Sequence, residues 1–363
     1  MPTVFFAFRD APDRRAALRD RGSLDRYRLF GLDEVRARGA DVRHNLERDG
    51  PPPLWARMLG GCVNRVLHAV GGYGGDFASA FASLRAANRA DVVFATADSL
   101  AIPLLLLKHA GLLRPPVVYT PIGLPERLAR VRRRGLYAGA LRRAHTIATY
   151  SQAEAEFLRD WIGAGVEIVF LPFGVGVEAF RPRPEQTLDE DVVSIGADPR
   201  RDFALLTTVA ARNPRIRFRI VATPEHIRAL GPLPANVQVE SGLVLEQVRD
   251  RLAAARVVAL PVRRNSYSGA TTVLLQAMAL AKPVVVSRTD AIQRGYALED
   301  GLNCRLVEPG DTDAFERALL ETLEQPGTLG SSARETVERD FTWERYTSGL
   351  WAMLSSAWAQ ERS

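Results

Sequence analysis

The chain has 363 residues, of which 47% are hydrophobic and 25% charged, and its formal net charge is +6. This length suits two domains, and the composition excludes disordered and fibrous classes. No apolar run is long enough to cross a bilayer, and the first residues lack the pattern of a secretory signal, so we expect a cytoplasmic protein.

Cysteine and histidine are sparse, and they form no ligand pattern. Cys62 and Cys304 lie far apart, and the five histidines have unrelated spacings. This argues against a disulfide scaffold and against a zinc site. Nearly all the basic residues are arginines, which suit a phosphate-bearing ligand without requiring nucleic acid. We therefore expect no metal, no cofactor and no nucleic-acid partner.

Short β-branched runs alternate with helical segments through the first half of the chain. The predicted strands are Thr3–Phe8, Ala90–Ala95, Pro116–Thr120, Thr146–Tyr150 and Ile168–Phe170. The predicted helices are Leu24–Arg38, Asp76–Asn88, Leu100–His109, Arg134–Arg143 and Gln152–Trp161. This alternation predicts a parallel sheet covered by helices on both faces.

A proline- and glycine-rich break then predicts a linker, from Leu171–Gly174 through Arg181–Pro184. A second alternating series follows. Its predicted strands are Val192–Ile195, Arg217–Val221, Val237–Glu240, Val257–Pro261, Val284–Ser287 and Cys304–Val307. Its predicted helices are Phe203–Ala211, Leu245–Ala255, Val273–Leu280, Ala314–Glu324 and Thr328–Arg339.

The two series predict an α/β protein with two Rossmann-like, doubly wound domains facing a central cleft. We place the first domain at residues 1–174 and the second at 175–345. The remaining residues, 346–363, are predicted to form a C-terminal helix that could pack back on the first domain.

The most informative stretch runs from Asn265 to Ser287, where a glycine-containing loop passes directly into an apolar helix. The first turn of a helix presents unpaired N–H groups and the positive end of the helix dipole. Gly269 and Ala270 let the backbone approach a ligand, and Thr271 or Thr272 can cap the helix or donate a hydroxyl. These features predict a diphosphate site, with an ordinary capped helix as the alternative.

Four segments resemble family 4 glycosyltransferases, which have the two-domain GT-B fold. They are "LLQAMALAKPVVVS" at Leu274–Ser287, "LEDGLNCRLVEPGD" at Leu298–Asp311, "FGVGVEAF" at Phe173–Phe180 and "TYSQAEAEFL" at Thr149–Leu158. The resemblance covers most of residues 90–345 and is thin over the first 90. It implies transfer of a sugar, with retention, from a nucleoside-diphosphate sugar to an acceptor hydroxyl, without a bound metal. The acceptor would be a small-molecule natural product or a cell-surface glycan, held by the N-terminal domain.

Carried over to this chain, the resemblance implies that the backbone from Gly269 to Thr272 binds the donor diphosphate. The family places two glutamates eight positions apart around this loop. Ser268 and Gln276 occupy those positions here, and Gln276 can still hydrogen-bond a ribose diol. The resemblance therefore assigns Ser268, Gly269, Ala270, Thr271, Thr272 and Gln276 to donor binding.

The family also places basic residues in the first βα loop of its C-terminal domain. Here Arg201 matches the lysine position, with Arg200 beside it, while Ala197 replaces the usual arginine. The resemblance implies that Arg200 and Arg201 bind the donor, and that Arg201 also stabilises the leaving diphosphate as a catalytic group.

Acid–base candidates are few, because Ile122 stands where the family often has a histidine. Asp98 follows a predicted strand end, so we expect it to face the cleft as a catalytic group. Its alternative role is to cap the helix predicted at 100–109. Glu126 is a second, weaker candidate.

Three further motifs have competing interpretations. "GGYGG" at Gly71–Gly75 is either a mobile acceptor loop or a flexible turn. Glu126–Ala144 contains seven arginines and could make a weak peripheral membrane contact, or form a solvated cationic helix. Asp189–Asp191 has an Asp-x-Asp pattern, but its place in a linker argues against a metal site.

Other functions remain open. The missing glutamates and histidine also fit an inactive GT-B partner of another transferase. A sugar-nucleotide epimerase or a phosphorylase could use the same fold. A hydride-transferring Rossmann enzyme is disfavoured, because no GxGxxG follows the first strand.

Overall fold

The computed structural model describes residues 1–22, 24–183, 188–265 and 267–360. Within them, an N-terminal unit comprises residues 1–22, 26–171 and 347–360, and a C-terminal unit comprises the described parts of 24–25 and 172–346. Pro184 of the predicted linker, Ser266 of the loop before the predicted diphosphate site and residues 361–363 of the predicted C-terminal helix lie outside the described residues.

The N-terminal unit contains a parallel sheet in the order β2-β1-β3-β4-β5-β6. Its described strands are β1 (Thr3–Ala7), β2 (Asp41–His44), β3 (Val92–Ala95), β4 (Val117–Tyr119), β5 (Thr146–Thr149) and β6 (Glu167–Phe170). The central strands are continuous buried apolar runs, because helices cover both faces of the sheet. The strand order reverses between β1 and β3.

Helices on the two faces of this sheet enclose two separate apolar cores. They are α1 (Pro12–Arg19), α2 (Leu32–Ala37), α3 (Leu54–Ala69), α4 (Phe77–Ala87), α5 (Asp98–His109), α6 (Leu124–Leu128), α7 (Arg134–Leu141) and α8 (Gln152–Ile162). Alternate residues of β1 enter opposite cores: Phe5 enters one, and Val4 and Phe6 enter the other. Leu350 and Leu354 of the C-terminal helix belong to the second core.

The C-terminal unit contains a second parallel sheet, in the order β12-β11-β10-β7-β8-β9. Its described strands are β7 (Glu190–Gly196), β8 (Phe218–Ala222), β9 (Val237–Glu240), β10 (Ala255–Leu260), β11 (Val284–Ser287) and β12 (Arg305–Val307). Numbered within the unit, this is the 3-2-1-4-5-6 order of a doubly wound dinucleotide fold. The order reverses between β7 and β10, and that reversal positions the site described below.

The helices of this unit flank the sheet, and the last helix of the chain leaves it. They are α9 (Phe203–Arg212), α10 (Pro224–Ala229), α11 (Leu245–Ala254), α12 (Thr271–Ala279), α13 (Asp290–Gln293), α14 (Thr312–Glu324), α15 (Leu329–Asp340) and α16 (Trp343–Gln360). Valines and leucines of β7, β10, α9 and α14 form the main core.

Several predicted elements need correction in the N-terminal unit. The helix predicted at Leu24–Arg38 is a 3-10 segment, Leu24–Leu29, followed by α2. Phe30 and Gly31 both have positive φ, 52° and 87°, which interrupts the helix. The helices α1 and α3 and the strand β2 were not predicted. The strand β2 has a single buried side chain, and α3 carries apolar residues on its exposed side.

The arginine-rich segment 126–144 is not one helix. It contains the end of α6 and the whole of α7, with a break between Leu128 and Arg134. The expected continuous cationic helix is therefore wrong, because no single helical face connects its arginines.

The glycines of "GGYGG" serve close packing. A Cβ at Gly72 would lie 2.5 Å from the Tyr137 hydroxyl, and one at Gly75 would lie 2.7 Å from the Ser99 carbonyl. The Asn64 amide also donates to the Gly75 carbonyl and accepts from its N–H, at 2.8 and 3.1 Å. These close contacts argue against both a mobile acceptor loop and a flexible turn at this segment.

The acidic segment at the start of β7 forms ion pairs. Glu190 pairs with Arg219, and Asp191 pairs with Arg217 and Arg256. The described residues contain no acidic, histidine or cysteine cluster that could hold a metal. Nor does that part of the chain contain a helix long and apolar enough to span a membrane.

Adjacent glycines of α3 provide a matched test of helix packing. A Cβ at Gly60 would lie 2.7 Å from the backbone nitrogen of Ala78 in α4, whereas one at Gly61 meets nothing within 4 Å. We expect Gly60→Ala to destabilise the protein by about 1–3 kcal/mol, because the two helices must separate. Gly61→Ala should stabilise it by about 0.5–1 kcal/mol, through helix propensity alone. Urea unfolding of both variants measures the difference, and equal effects would contradict the packing.

Candidate functional site

The site lies where the strand order of the C-terminal sheet reverses. The loop after β7, residues 197–202, and the described part of the loop after β10, residues 261–265 and 267–270, leave the same edge of the sheet from neighbouring strands. Chains leaving two such strands turn to opposite faces, which opens a crevice at their carboxyl ends. Both predicted donor-binding segments are in these two loops.

Backbone hydrogen bonds fasten the two loops together. The Asp202 N–H donates to the Pro261 carbonyl at 2.9 Å, and the Arg263 N–H donates to the Arg200 carbonyl at 2.8 Å. Arg201 and Val262 form an antiparallel bridge between them. The loops therefore present one continuous surface, although about 60 residues separate them along the chain.

Arg201 is the buried cation of this surface, with only 2% of the residue exposed. Its Nη2 donates to the Ile195 carbonyl at 2.6 Å and to the Ser194 hydroxyl at 3.3 Å. Nε and Nη1 have no hydrogen-bond partner within the described part of the chain. Burial lowers the pKa of the guanidinium to about 10, against the opposing effect of the Asp198 carboxylate. The group therefore stays charged at neutral pH while two of its nitrogens lack partners.

Gly196 is required for this placement of Arg201. A Cβ at Gly196 would lie 2.5 Å from the Arg201 Nε, so the side chain lies directly across the end of β7. The guanidinium carbon also lies 5.4 Å from the centre of the Phe203 ring, at the start of α9. These contacts fix the guanidinium at the strand end.

Asp198 connects the two loops, and it was not predicted from the sequence. Its Oδ1 accepts from the Arg200 N–H at 2.7 Å and from the Tyr267 hydroxyl at 3.0 Å. The same oxygen would lie 3.3 Å from a Cβ at Gly269, and the Asn265 Nδ2 would lie 3.1 Å from it. Gly269 is therefore packed between Asp198 and Asn265. The Asp-Pro-Arg turn at 198–200 was the available sequence signal.

The helix α12 begins directly after this glycine. Ala270 precedes it in the left-handed conformation, with φ 69°, and its methyl group cannot cap the first turn. A non-glycine residue in this region is strained by about 1 kcal/mol or more, a cost often found at functional sites. The Thr271 N–H bonds to the Ser268 carbonyl at 3.3 Å.

The side chains of α12 differ in their placement. Thr271 is buried, and its hydroxyl has no partner within the described residues, whereas Thr272 is exposed. Gln276 is buried one turn further along the helix. Thr271 and Gln276 are therefore enclosed, whereas Thr272 is open to solvent.

Three neighbouring residues of this surface carry polar atoms that lack partners within the described chain. They are Nε and Nη1 of Arg201, both polar atoms of the Asn265 amide and the hydroxyl of Thr271. Buried polar groups are almost always hydrogen-bonded in folded proteins. Donors that converge on a helix N-terminus can together bind an anion such as phosphate. The Arg200 backbone carbonyl helps to connect the two loops. Asn265 is a further residue of this surface that was not predicted from the sequence.

Asp98 lies at the corresponding reversal of the N-terminal sheet, between β1 and β3. Its residue is 2% exposed, and its carboxylate accepts from the Tyr119 hydroxyl at 2.5 Å, the Ile122 N–H at 3.3 Å and Arg127 Nη1 at 2.5 Å. Burial raises the pKa of Asp98, and the charge of Arg127 opposes that rise.

This environment differs from the one predicted for Asp98. Ala97 is the N-cap of α5 and Asp98 is its first residue, so the capping role predicted for a helix at 100–109 is corrected. The carboxylate holds Arg127, whose side chain is 44% exposed and lies over the Tyr73 ring. The catalytic role of Asp98 stays a prediction, as does that of Glu126, which lies in α6.

The two sheets and their helices define a GT-B protein, with two Rossmann-like domains, as the sequence predicted. Residues 202–325 match the family model described as "Glycosyl transferases group 1". The matched segment includes the loop after β10 and all of α12, and it begins one residue after Arg201. The predicted resemblance is therefore confirmed over this segment. No curated protein sequence matches the chain significantly.

Solved structures match over nearly the whole chain. Sucrose-phosphate synthase of Thermosynechococcus elongatus has a TM-score of 0.74 at 17% identity, covering 99% of this chain and all of its own. HepE of Anabaena, in complex with UDP-glucose, has a TM-score of 0.71 at 15% identity, covering 98% and 100%. A UDP-forming trehalose-phosphate synthase of Burkholderia vietnamiensis has 0.68 at 15%, covering 98% and 99%. At these identities the likeness establishes the fold.

A comparison of Thr271 with Thr336, a second buried threonine of the C-terminal unit, tests whether the Thr271 hydroxyl lacks a hydrogen-bond partner in the free protein. Thr336 in α15 donates to the Ser332 carbonyl at 2.9 Å and accepts from the Asn303 amide at 3.1 Å. We expect Thr336→Val to cost about 1–2 kcal/mol, because it breaks satisfied hydrogen bonds. Thr271→Val should leave the free energy of unfolding unchanged or raise it by about 1 kcal/mol, because it removes an unsatisfied hydroxyl. Urea unfolding compares the two, and an equal loss at Thr271 would show that its hydroxyl is satisfied.

Proposed function

We propose that this protein is a glycosyltransferase that moves a sugar from a nucleoside-diphosphate sugar to an acceptor hydroxyl. The C-terminal unit binds the donor, with its diphosphate between the loop after β7 and the start of α12. Transfer proceeds with retention of anomeric configuration, which is an implication of the family 4 resemblance.

The observation that carries this proposal is the buried guanidinium of Arg201. A buried cation with unpartnered nitrogens is costly, and an anion offsets that cost. The guanidinium lies at the strand-order reversal and shares its surface with Gly269 and the N-terminus of α12. A diphosphate, with two charged groups, suits a site that combines a cation with a helix N-terminus. The family match over residues 202–325, which includes Gly269 and α12, supports placing the donor in this unit.

The proposed chemistry depends on stabilising the leaving group. The bond between the anomeric carbon and the diphosphate oxygen breaks, and a bond to the acceptor oxygen forms. Arg201, the Thr271 hydroxyl and the first N–H groups of α12 stabilise the negative charge that develops on the diphosphate. The acceptor proton passes to a leaving phosphate oxygen. This route needs no carboxylate at position 268, where this chain has a serine.

The N-terminal unit is assigned the acceptor. Asp98 acts as a positioning residue, because its carboxylate already accepts from three donors and one of these is Arg127. Arg127 remains partly exposed beside Tyr73, so it can donate to an acceptor oxygen. The acceptor is a small-molecule natural product or a cell-surface glycan.

An inactive GT-B partner of another transferase is the second candidate. The observation in its favour is the pair Ser268 and Gln276, which replace both glutamates expected from the resemblance. Such a protein would keep nucleotide binding and lack turnover. Measuring release of nucleoside diphosphate from a bound sugar nucleotide distinguishes the two functions.

Calorimetric titration with UDP, GDP, dTDP and ADP tests the donor site. We expect one diphosphate to bind, and Arg201→Met to weaken its binding about 10- to 100-fold through loss of charge-assisted hydrogen bonds. The variant should fold at least as stably as the wild type, because it removes an incompletely paired buried charge.

Arg212→Met is the matched control. Arg212 lies at the other end of α9 and pairs with Asp313 and Glu316 on the surface. Its substitution should leave nucleotide binding unchanged. Failure of the wild type to bind any of the four nucleotides would refute the proposed donor site. Equal weakening by both variants would show that the effect of Arg201 is not local.

A further inference from the structure

The helix α3 carries an apolar surface that no part of the described chain covers. Five large apolar side chains on this helix are between 45% and 68% exposed, and they define what we call the α3 face: Leu54, Trp55, Met58, Leu59 and Val66. The largest exposed apolar patch on a single-chain protein is often a functional surface.

Helical geometry places these side chains together. At about 100° per residue, they and the exposed Cys62 occupy one continuous arc of the helix. The opposite side holds the buried residues Ala56, Gly60 and Leu67. Gly60 packs against the backbone of α4, so the helix is fixed with its apolar arc pointing outward. The pattern is therefore that of an amphipathic helix with a second, external apolar face.

The charged side chains of α3 itself have one sign. No aspartate or glutamate occurs between Gly50 and Gly75, whereas Arg57 and Arg65 lie within the helix and are exposed. The Arg132 N–H donates to the Gly71 carbonyl at 3.0 Å, two residues beyond the end of the helix. This bond places the exposed Arg132 at the C-terminal end of α3.

We propose that the α3 face docks on the surface of an anionic lipid membrane, with α3 lying in the plane of the interface. Leucine, methionine and an exposed tryptophan enter the boundary between headgroups and acyl chains, and the flanking arginines bind lipid phosphates. The exposed arginines of the helix favour an anionic lipid surface over a second copy of the chain, because a symmetric contact between two copies would bring like charges together.

Vesicle co-sedimentation tests the proposal on the intact chain. We expect the wild type to bind vesicles of equal parts phosphatidylcholine and phosphatidylglycerol, and not vesicles of phosphatidylcholine alone. Trp55→Ser with Met58→Ser should weaken binding at least tenfold. Val244→Ser with Leu302→Ser is the matched control, because both side chains are similarly exposed in the C-terminal unit, and it should bind as the wild type does.

The arginines provide an independent variant. Arg57→Gln with Arg65→Gln should weaken binding to anionic vesicles and reduce its dependence on salt. Nucleotide binding should be unchanged in every α3 variant, so failure of this proposal is distinguishable from failure of the proposed donor site.

A thiol label locates the contact without altering the apolar residues. Cys62 is exposed and Cys304 is buried, so an environment-sensitive dye attaches at Cys62 alone. Its emission should shift to the blue when anionic vesicles are added. An unshifted emission from vesicle-bound protein would place the contact elsewhere and overturn the proposal.

Two further results would also overturn it. One is the absence of vesicle binding by the wild type. The other is concentration-dependent self-association that the Trp55 and Met58 substitutions abolish in ultracentrifugation, because the α3 face would then join two copies of the chain.

Discussion

The cost of burying the Arg201 guanidinium explains much of the local structure at the second strand-order reversal. A glycine at position 196 leaves room for the side chain, and the Ile195 carbonyl and Ser194 hydroxyl each accept one of its hydrogen bonds. The Phe203 ring covers another side of the group. These contacts satisfy one nitrogen and leave two without partners in the described chain. The fold therefore tolerates a partly unpaired charge here, as binding sites do and structural cores rarely do.

The topology of a parallel sheet brings together groups that are remote in sequence. Strands β7 and β10 are neighbours only because the chain reverses its winding direction between them. Their two following loops are then joined by backbone bonds, with Asp198 linking Tyr267 to the first loop. The site is a property of the strand order as much as of the residues.

The fold was predictable because buried parallel strands are continuous apolar runs and their helices follow at regular intervals; that prediction is confirmed. The short edge strand β2 gives little signal, because only Val42 is buried in it. The helix α3 was missed because its apolar residues face outward as well as inward. At the proposed donor site, local sequence indicated Gly269 and Thr271 but not Asn265 or Asp198, whose placement depends on contacts between loops. The roles assigned to these side chains stay predictions.

Each unit has a buried charged side chain at its strand-order reversal, and the two side chains have opposite charge. At the first reversal, the buried carboxylate of Asp98 is satisfied by Arg127, Tyr119 and a backbone N–H. At the second, the buried group is a cation, and Asp198 offsets its burial only in part. A satisfied ion pair offers little net charge to a ligand, whereas an incompletely satisfied guanidinium attracts an anion. The diphosphate should therefore bind the C-terminal unit, and the ligand of the N-terminal unit should be recognised by the exposed side of Arg127 and by shape.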